Sequence, residues 1–168
     1  MKYLFISLML ILSANLFAQE PSFAMSGGMS VITENTYESS NIGLSIGFIF
    51  QQFYFDASFN NESGTGEYLE YSTDETYRTE KVSWYALNLG YNFYFNDNNT
   101  WVTPTLGAGS LRKIYNDPVG FDTYFYGDEE MFACAGVILS QRLVDFVYVS
   151  AGINTFEMFK LQLGFILK

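Results

Sequence analysis

The stretch "YNFYFNDNNTWVTPTLGAG", residues 91–109, decides the fold. Tyr91, Phe93 and Phe95 alternate with Asn92 and Tyr94, the period of two that a strand with two different faces requires. Four polar turn formers, Asn96 to Asn99, interrupt the pattern. It resumes with Val102, Pro104, Leu106 and Ala108 opposite Thr103, Thr105, Gly107 and Gly109. That is the signature of a β-hairpin. What its apolar face touches fixes the class of the whole protein.

The pattern recurs along the chain. Eight strand-like segments are expected near 22–33, 42–50, 53–61, 82–95, 100–111, 131–141, 146–154 and 157–168. Connections after the second, fourth and sixth are short: Gln51-Gln52, Asn96 to Asn99, and Arg142 to Asp145. Those after the first, third and fifth are longer: Glu34 to Asn41, Glu62 to Lys81, and Arg112 to Glu130. Only the last link, around Thr155, breaks the alternation. Tight turns at one end and large loops at the other suit an up-and-down barrel of the membrane-spanning kind.

Each segment has one apolar face and one small or polar face. Ile42, Leu44, Ile46, Phe48 and Phe50 oppose Gly43, Ser45, Gly47 and Ile49. Phe53, Phe55, Ala57 and Phe59 oppose Tyr54, Asp56, Ser58 and Asn60. Tyr85, Leu87 and Leu89 oppose Trp84, Ala86, Asn88 and Gly90; Phe159, Leu161, Leu163, Phe165 and Leu167 oppose Lys160, Gln162, Gly164 and Ile166. A soluble, lipocalin-like ligand-binding barrel would turn the apolar face inward and cover its exterior with Lys and Glu. Yet of eighteen acidic and eight basic residues, the segments hold only Asp56, Glu157, Lys160 and Lys168. In lipid, where a charge near the midplane costs about 2–4 kcal/mol, the arrangement is natural. The expected fold is therefore all-β: an eight-stranded antiparallel up-and-down transmembrane β-barrel, its apolar face on lipid and a polar, side-chain-filled lumen. Tyr91, Phe93, Phe95 and Trp101 are expected in an aromatic girdle at the inner interface.

The chain opens "MKYLFISLMLILSANLFAQE": a basic Lys2, an apolar run from Tyr3 to Leu12, and a small-residue exit from Ala14 to Ala18. This predicts a signal peptide over 1–18, cleaved after Ala18, and a barrel domain over 19–168. The run is shorter than the ~20 residues of a spanning helix. No cysteine follows it, so lipid modification is not expected. A formal charge of −10 argues against nucleic acid as a partner. Cys134 is the only cysteine and reads as a small apolar residue.

The hairpin above, with "FACAGVILSQRL" and "FVYVSAGI" after it, resembles the small outer-membrane β-barrel proteins of the OmpA/OmpX/OmpW type. The resemblance covers the chain after its signal segment. It implies export to the outer membrane of a Gram-negative bacterium, a monomer among outer-membrane lipids and lipopolysaccharide, and external loops for surface interaction or envelope integrity. An OmpW-like conduit for small apolar compounds is the alternative. The end, "QLGFILK", resembles the C-terminal signal read by the outer-membrane assembly machinery, with Gln162, Gly164 and Leu167 in its polar, glycine and apolar places. Lys168 departs from it near the usual terminal aromatic.

No catalytic residue, cofactor or dedicated metal site is expected. The chain has no histidine, which removes imidazole bases and the commonest metal ligand. No phosphate loop, dinucleotide fingerprint or EF-hand spacing occurs. The distinctive polar features are two acidic, aromatic-rich loops, 62–81 and 112–130, expected on the outside. The first holds six carboxylates; the second holds Asp117, Asp122, Asp128, Glu129 and Glu130. Asp128, Glu129 and Glu130 are candidates for weak divalent-cation binding, since carboxylates suit Ca²⁺ and Mg²⁺. Interleaved tyrosines and phenylalanines suit a partner surface. In the lumen, Asp56 and Lys160 share the polar face, and an ion pair between them depends on reach across the barrel.

Overall fold

The computed structural model describes residues 23–32, 42–62, 67–68, 78–95, 98–116 and 124–167. The expected signal segment, the 34–41 connection, most of the 62–81 loop, Asp117, Asp122 and Lys168 lie outside the described residues. The strands are β1 (Phe23–Ile32), β2 (Ile42–Phe50), β3 (Phe53–Asn60), β4 (Glu67–Tyr68), β5 (Arg78–Tyr91), β6 (Phe93–Phe95), β7 (Thr100–Asn116), β8 (Tyr124–Val144), β9 (Val147–Asn154) and β10 (Glu157–Leu167).

These make a closed eight-stave antiparallel barrel. β5 and β6 form one stave, interrupted at Asn92, whose amide donates to the Gln52 carbonyl at 2.7 Å. Sequential staves pair all the way round, and β1 closes the ring on β10 from Phe23↔Leu167 to Val31↔Phe159. Closure leaves no sheet edge in the membrane, which lipid demands because it offers backbone groups no partners. Outside the ring, the short β4 pairs in parallel with Phe125 and Tyr126 of β8. Gln51 and Asn98, in two of the tight turns, take left-handed backbone conformations (φ 56° and 65°).

The facing expected from alternation holds. Ile42, Leu44, Leu87, Leu89, Leu106, Leu163 and Phe165 stand outward as an apolar belt, Leu106 being 70% exposed, while Ser26, Ser45, Ser58, Asn88, Thr103 and Gln162 are buried inside. The wall is thus a transmembrane barrel's: apolar where a soluble barrel must be charged.

Two expectations need correction. Trp101 is no girdle residue. It points into the lumen and is 2% exposed, packed at a tilt between Tyr94 (ring centroids 5.5 Å apart) and Tyr148 (5.1 Å). Its parity with Thr103 had already put it on the inner face, and size rather than polarity suits it there. The second expected external loop is also mostly strand. β7 runs on to Asn116 and β8 begins at Tyr124, so residues 112–116 and 124–130 form a hairpin that leaves the barrel. Charge marked these residues as loop, but above the membrane a charged strand is fully solvated, and the ladder carries on past one register shift between Arg112 and Ile114.

Candidate functional site

Two places gather polar chemistry: the barrel lumen and the tall wall above it. The lumen is filled in three layers. At the turn end Ala24, Ile49, Tyr54, Trp101, Ile138 and Tyr148 form an apolar and aromatic plug. At the loop end Ile32, Val82, Trp84 and Leu111 form another, with the Phe156 ring 5.9 Å from Trp84. Gly164 makes room for the first plug, since a Cβ there would lie 2.2 Å from the Tyr148 ring. An eight-stave barrel is just wide enough for such filling.

Between the plugs sits an ionic network. Lys160 on β10 reaches across the lumen to Asp56 on β3, Nζ to Oδ1 at 2.7 Å, so the pair whose meeting sequence left open does form. Lys160 also contacts Glu157 Oε2 at 3.1 Å. Asn88, the direct cross-strand partner of Asp56, donates its Nδ2 to Asp56 Oδ1 and to Glu157 Oε2, both at 3.0 Å. Ser30 donates to Glu157 Oε1 at 2.5 Å, and Asn154 to its Oε2 at 2.5 Å. Toward the turn end Gln162 accepts from Ser26 (3.1 Å) and Tyr54 (2.9 Å) and donates to Ser45 (2.5 Å).

Glu157 is the core residue that sequence reading missed. Strict alternation from Phe159 carries it to the lipid side, yet it is fully buried inside. The cause is a register shift opposite Val31 and Ile32, with both Met158 and Phe159 turned outward. The available signal was a carboxylate at the first position of a lipid-facing row, where no charge belongs.

Outside, the three candidate acids fall in one strand. Asp128, Glu129 and Glu130 are consecutive and exposed on β8. Glu129 accepts a short hydrogen bond from Ser110, with Arg112 Nη2 at 3.2 Å and the Tyr85 hydroxyl at 3.4 Å. The Ser110 hydroxyl, with Arg112 behind it, holds this carboxyl below its usual range. Glu130 lies 3.9 Å from Lys113. The structure therefore gives Glu129 and Glu130 cationic partners of their own chain. Among the described residues no three acidic, histidine or cysteine side chains come together as a metal site. Around Glu129 the outer wall holds a cleft of about 250 Å³, lined by Glu62, Tyr85, Arg112 and Tyr126 among others. The Arg112 guanidinium stands over the Tyr126 ring at 5.7 Å.

No protein-family model matches the chain, and no curated protein is similar to it in sequence. Solved structures do share its fold. Ail, the attachment invasion locus protein of Yersinia pestis, superimposes with a TM-score of 0.59 at 16% identity, over 89% of this chain and all of that one. Ail in complex with the heparin analogue sucrose octasulfate gives 0.57 at 15% identity, with the same coverage. At such identities the likeness is one of fold.

Proposed function

We propose that the chain is a non-enzymatic integral protein of a Gram-negative outer membrane whose tall outer wall is a contact surface for an external partner. The observation that carries this reading is the unequal height of the barrel. The β8–β9 ladder ends at Gly136↔Asn154, while β8 continues to Tyr124, paired with β7 and flanked by β5. Thr155 of the β9–β10 turn still bonds the Ala135 and Ala133 carbonyls, so roughly 30 Å of strand rises past its neighbour. An outer-membrane barrel that needed only to fill its place in lipid has no use for such a wall. The wall carries exposed acids beside large apolar side chains, with Met131 73% exposed, and aromatic and Arg side chains line its cleft. Mixed surfaces of this kind are typical of interfaces.

The partner's chemistry follows from charge. A sulfated ligand of the kind bound to Ail meets here a chain of formal charge −10 and an acidic wall. A neutral or basic partner is favoured over a polyanion. The conduit reading is disfavoured, because two apolar plugs and an ionic network occupy the lumen. The C-terminal strand as the assembly signal, cleavage after Ala18 and a monomeric state belong to the same proposal. The test is display in the outer membrane of a Gram-negative host. Cells carrying the chain should bind surfaces coated with a basic protein and ignore heparin-coated ones. A variant with residues 113–127 replaced by a tight turn should keep the barrel and lose binding. Fractionation away from the outer membrane, or binding undiminished by the shortening, overturns the reading.

A further inference from the structure

The lumen network carries a charge imbalance that its hydrogen bonds localise to one atom. Asp56, Glu157 and Lys160 are the buried charged side chains among the described residues, two carboxylates against one ammonium. Glu157 is saturated: Ser30 serves one oxygen, and Asn88, Asn154 and Lys160 serve the other. Asp56 is served on Oδ1 by Lys160 and Asn88, but its Oδ2 has no hydrogen-bond partner among the described residues. The Oδ1 of Asn88 has none either. Both side chains are more than nine-tenths buried, and both line a cavity of about 10 Å³, together with Thr105, Glu157 and Lys160. That is about the room of a single water-sized guest.

We propose that this cavity binds one small monovalent cation, of the size of Na⁺, coordinated by Asp56 Oδ2 and Asn88 Oδ1. The two orphan atoms are both acceptors, so the guest must bring protons or positive charge. A water donates two hydrogen bonds but leaves one negative charge uncompensated in a closed core, and a buried unpaired charge is costly. A divalent ion overshoots the deficit and meets the Lys160 ammonium bound to the same carboxylate. One alkali cation on hard oxygen ligands supplies what both orphans and the charge count require. Folding closes the barrel around it, so binding is linked to stability.

The experiment is urea unfolding of the whole chain refolded in zwitterionic detergent micelles, with NaCl exchanged for choline chloride at constant ionic strength. Choline screens the acidic rim equally but is too large for the cavity. Above the dissociation constant, the unfolding equilibrium constant should fall about tenfold for each tenfold rise in Na⁺. Asp56→Asn should abolish that slope. If this variant does not fold, the wild-type comparison of Na⁺ with choline still decides. Equal stability in the two salts, as a proton or a water in the cavity gives, overturns the proposal, as does a slope that survives Asp56→Asn.

Discussion

At the scale of single residues, the side of the wall on which a side chain stands decides what a substitution costs. Leu89 and Leu163 face lipid. Arg at either position should lower the stability of the barrel in bilayers by about 2–4 kcal/mol, less if the site lies near an interface. Urea titration in lipid vesicles checks this, and parent-like stability of both variants contradicts the facing. Gly27 and Gly28 give a sharper comparison because they are neighbours on the strand that closes the ring. A Cβ on Gly28 would lie 1.9 Å from the Leu161 carbonyl oxygen of β10, whereas on Gly27 its nearest neighbour is 4.0 Å away. Backbone at a closure seam has little room to retreat. Gly28→Ala should therefore cost about 1–3 kcal/mol or more, as overpacking does, and Gly27→Ala close to nothing. The fraction folded on an unheated gel, followed against urea, separates the two.

At the scale of elements, the hairpin of β7 and β8 stands in water and is held by polar contacts. Glu129 has its carboxyl lowered by the Ser110 hydroxyl and by Arg112, so the ionised form is favoured by the folded hairpin. A lowered folded value contributes stability that is present above the unfolded value, near 4.5, and is lost as pH falls through the lower folded one. The protection of the amides in 110–116 and 124–131, each taken against its intrinsic exchange rate at the same pH, should accordingly hold from neutral pH down to about 4.5 and fall below it. Glu129→Gln should flatten that dependence. With Arg112 and Lys113 already beside Glu129 and Glu130, Ca²⁺ should protect this hairpin from protease no better than monovalent salt of equal ionic strength. Protection specific to Ca²⁺, lost on changing Asp128, Glu129 and Glu130 to amides, would restore the divalent-cation reading. Alternation made the staves and their faces legible, because lipid imposes one apolar row per strand. Above the membrane that constraint lapses. Alternation therefore did not show that Arg112 and Glu129 belong to paired strands, and the register shift that buries Glu157 left a single trace, a carboxylate in a lipid-facing row.

At the scale of the whole molecule, legibility depended on what closure does to side chains far apart in sequence. That Asp56 and Lys160 share the inner face was readable, as was a filled lumen; that they meet 104 positions apart was not, because it depends on reach across a closed ring. The result is three barriers in series, Trp101 with its tyrosine neighbours, the ionic layer, and Trp84 with Phe156. An ion crossing the barrel would have to displace all three, and each sits in a passage only side-chain wide. The purified protein in planar bilayers should show no steady conductance. Removing one plug should not change this. Trp101→Ala is expected to cost about 3–5 kcal/mol of stability through the cavity it leaves, yet to conduct no better, since the ionic layer and the Trp84 plug remain in the path. Large ohmic channels from the unaltered chain would show that the lumen opens. The same channels appearing only in Trp101→Ala would show instead that the turn-end plug is the sole gate.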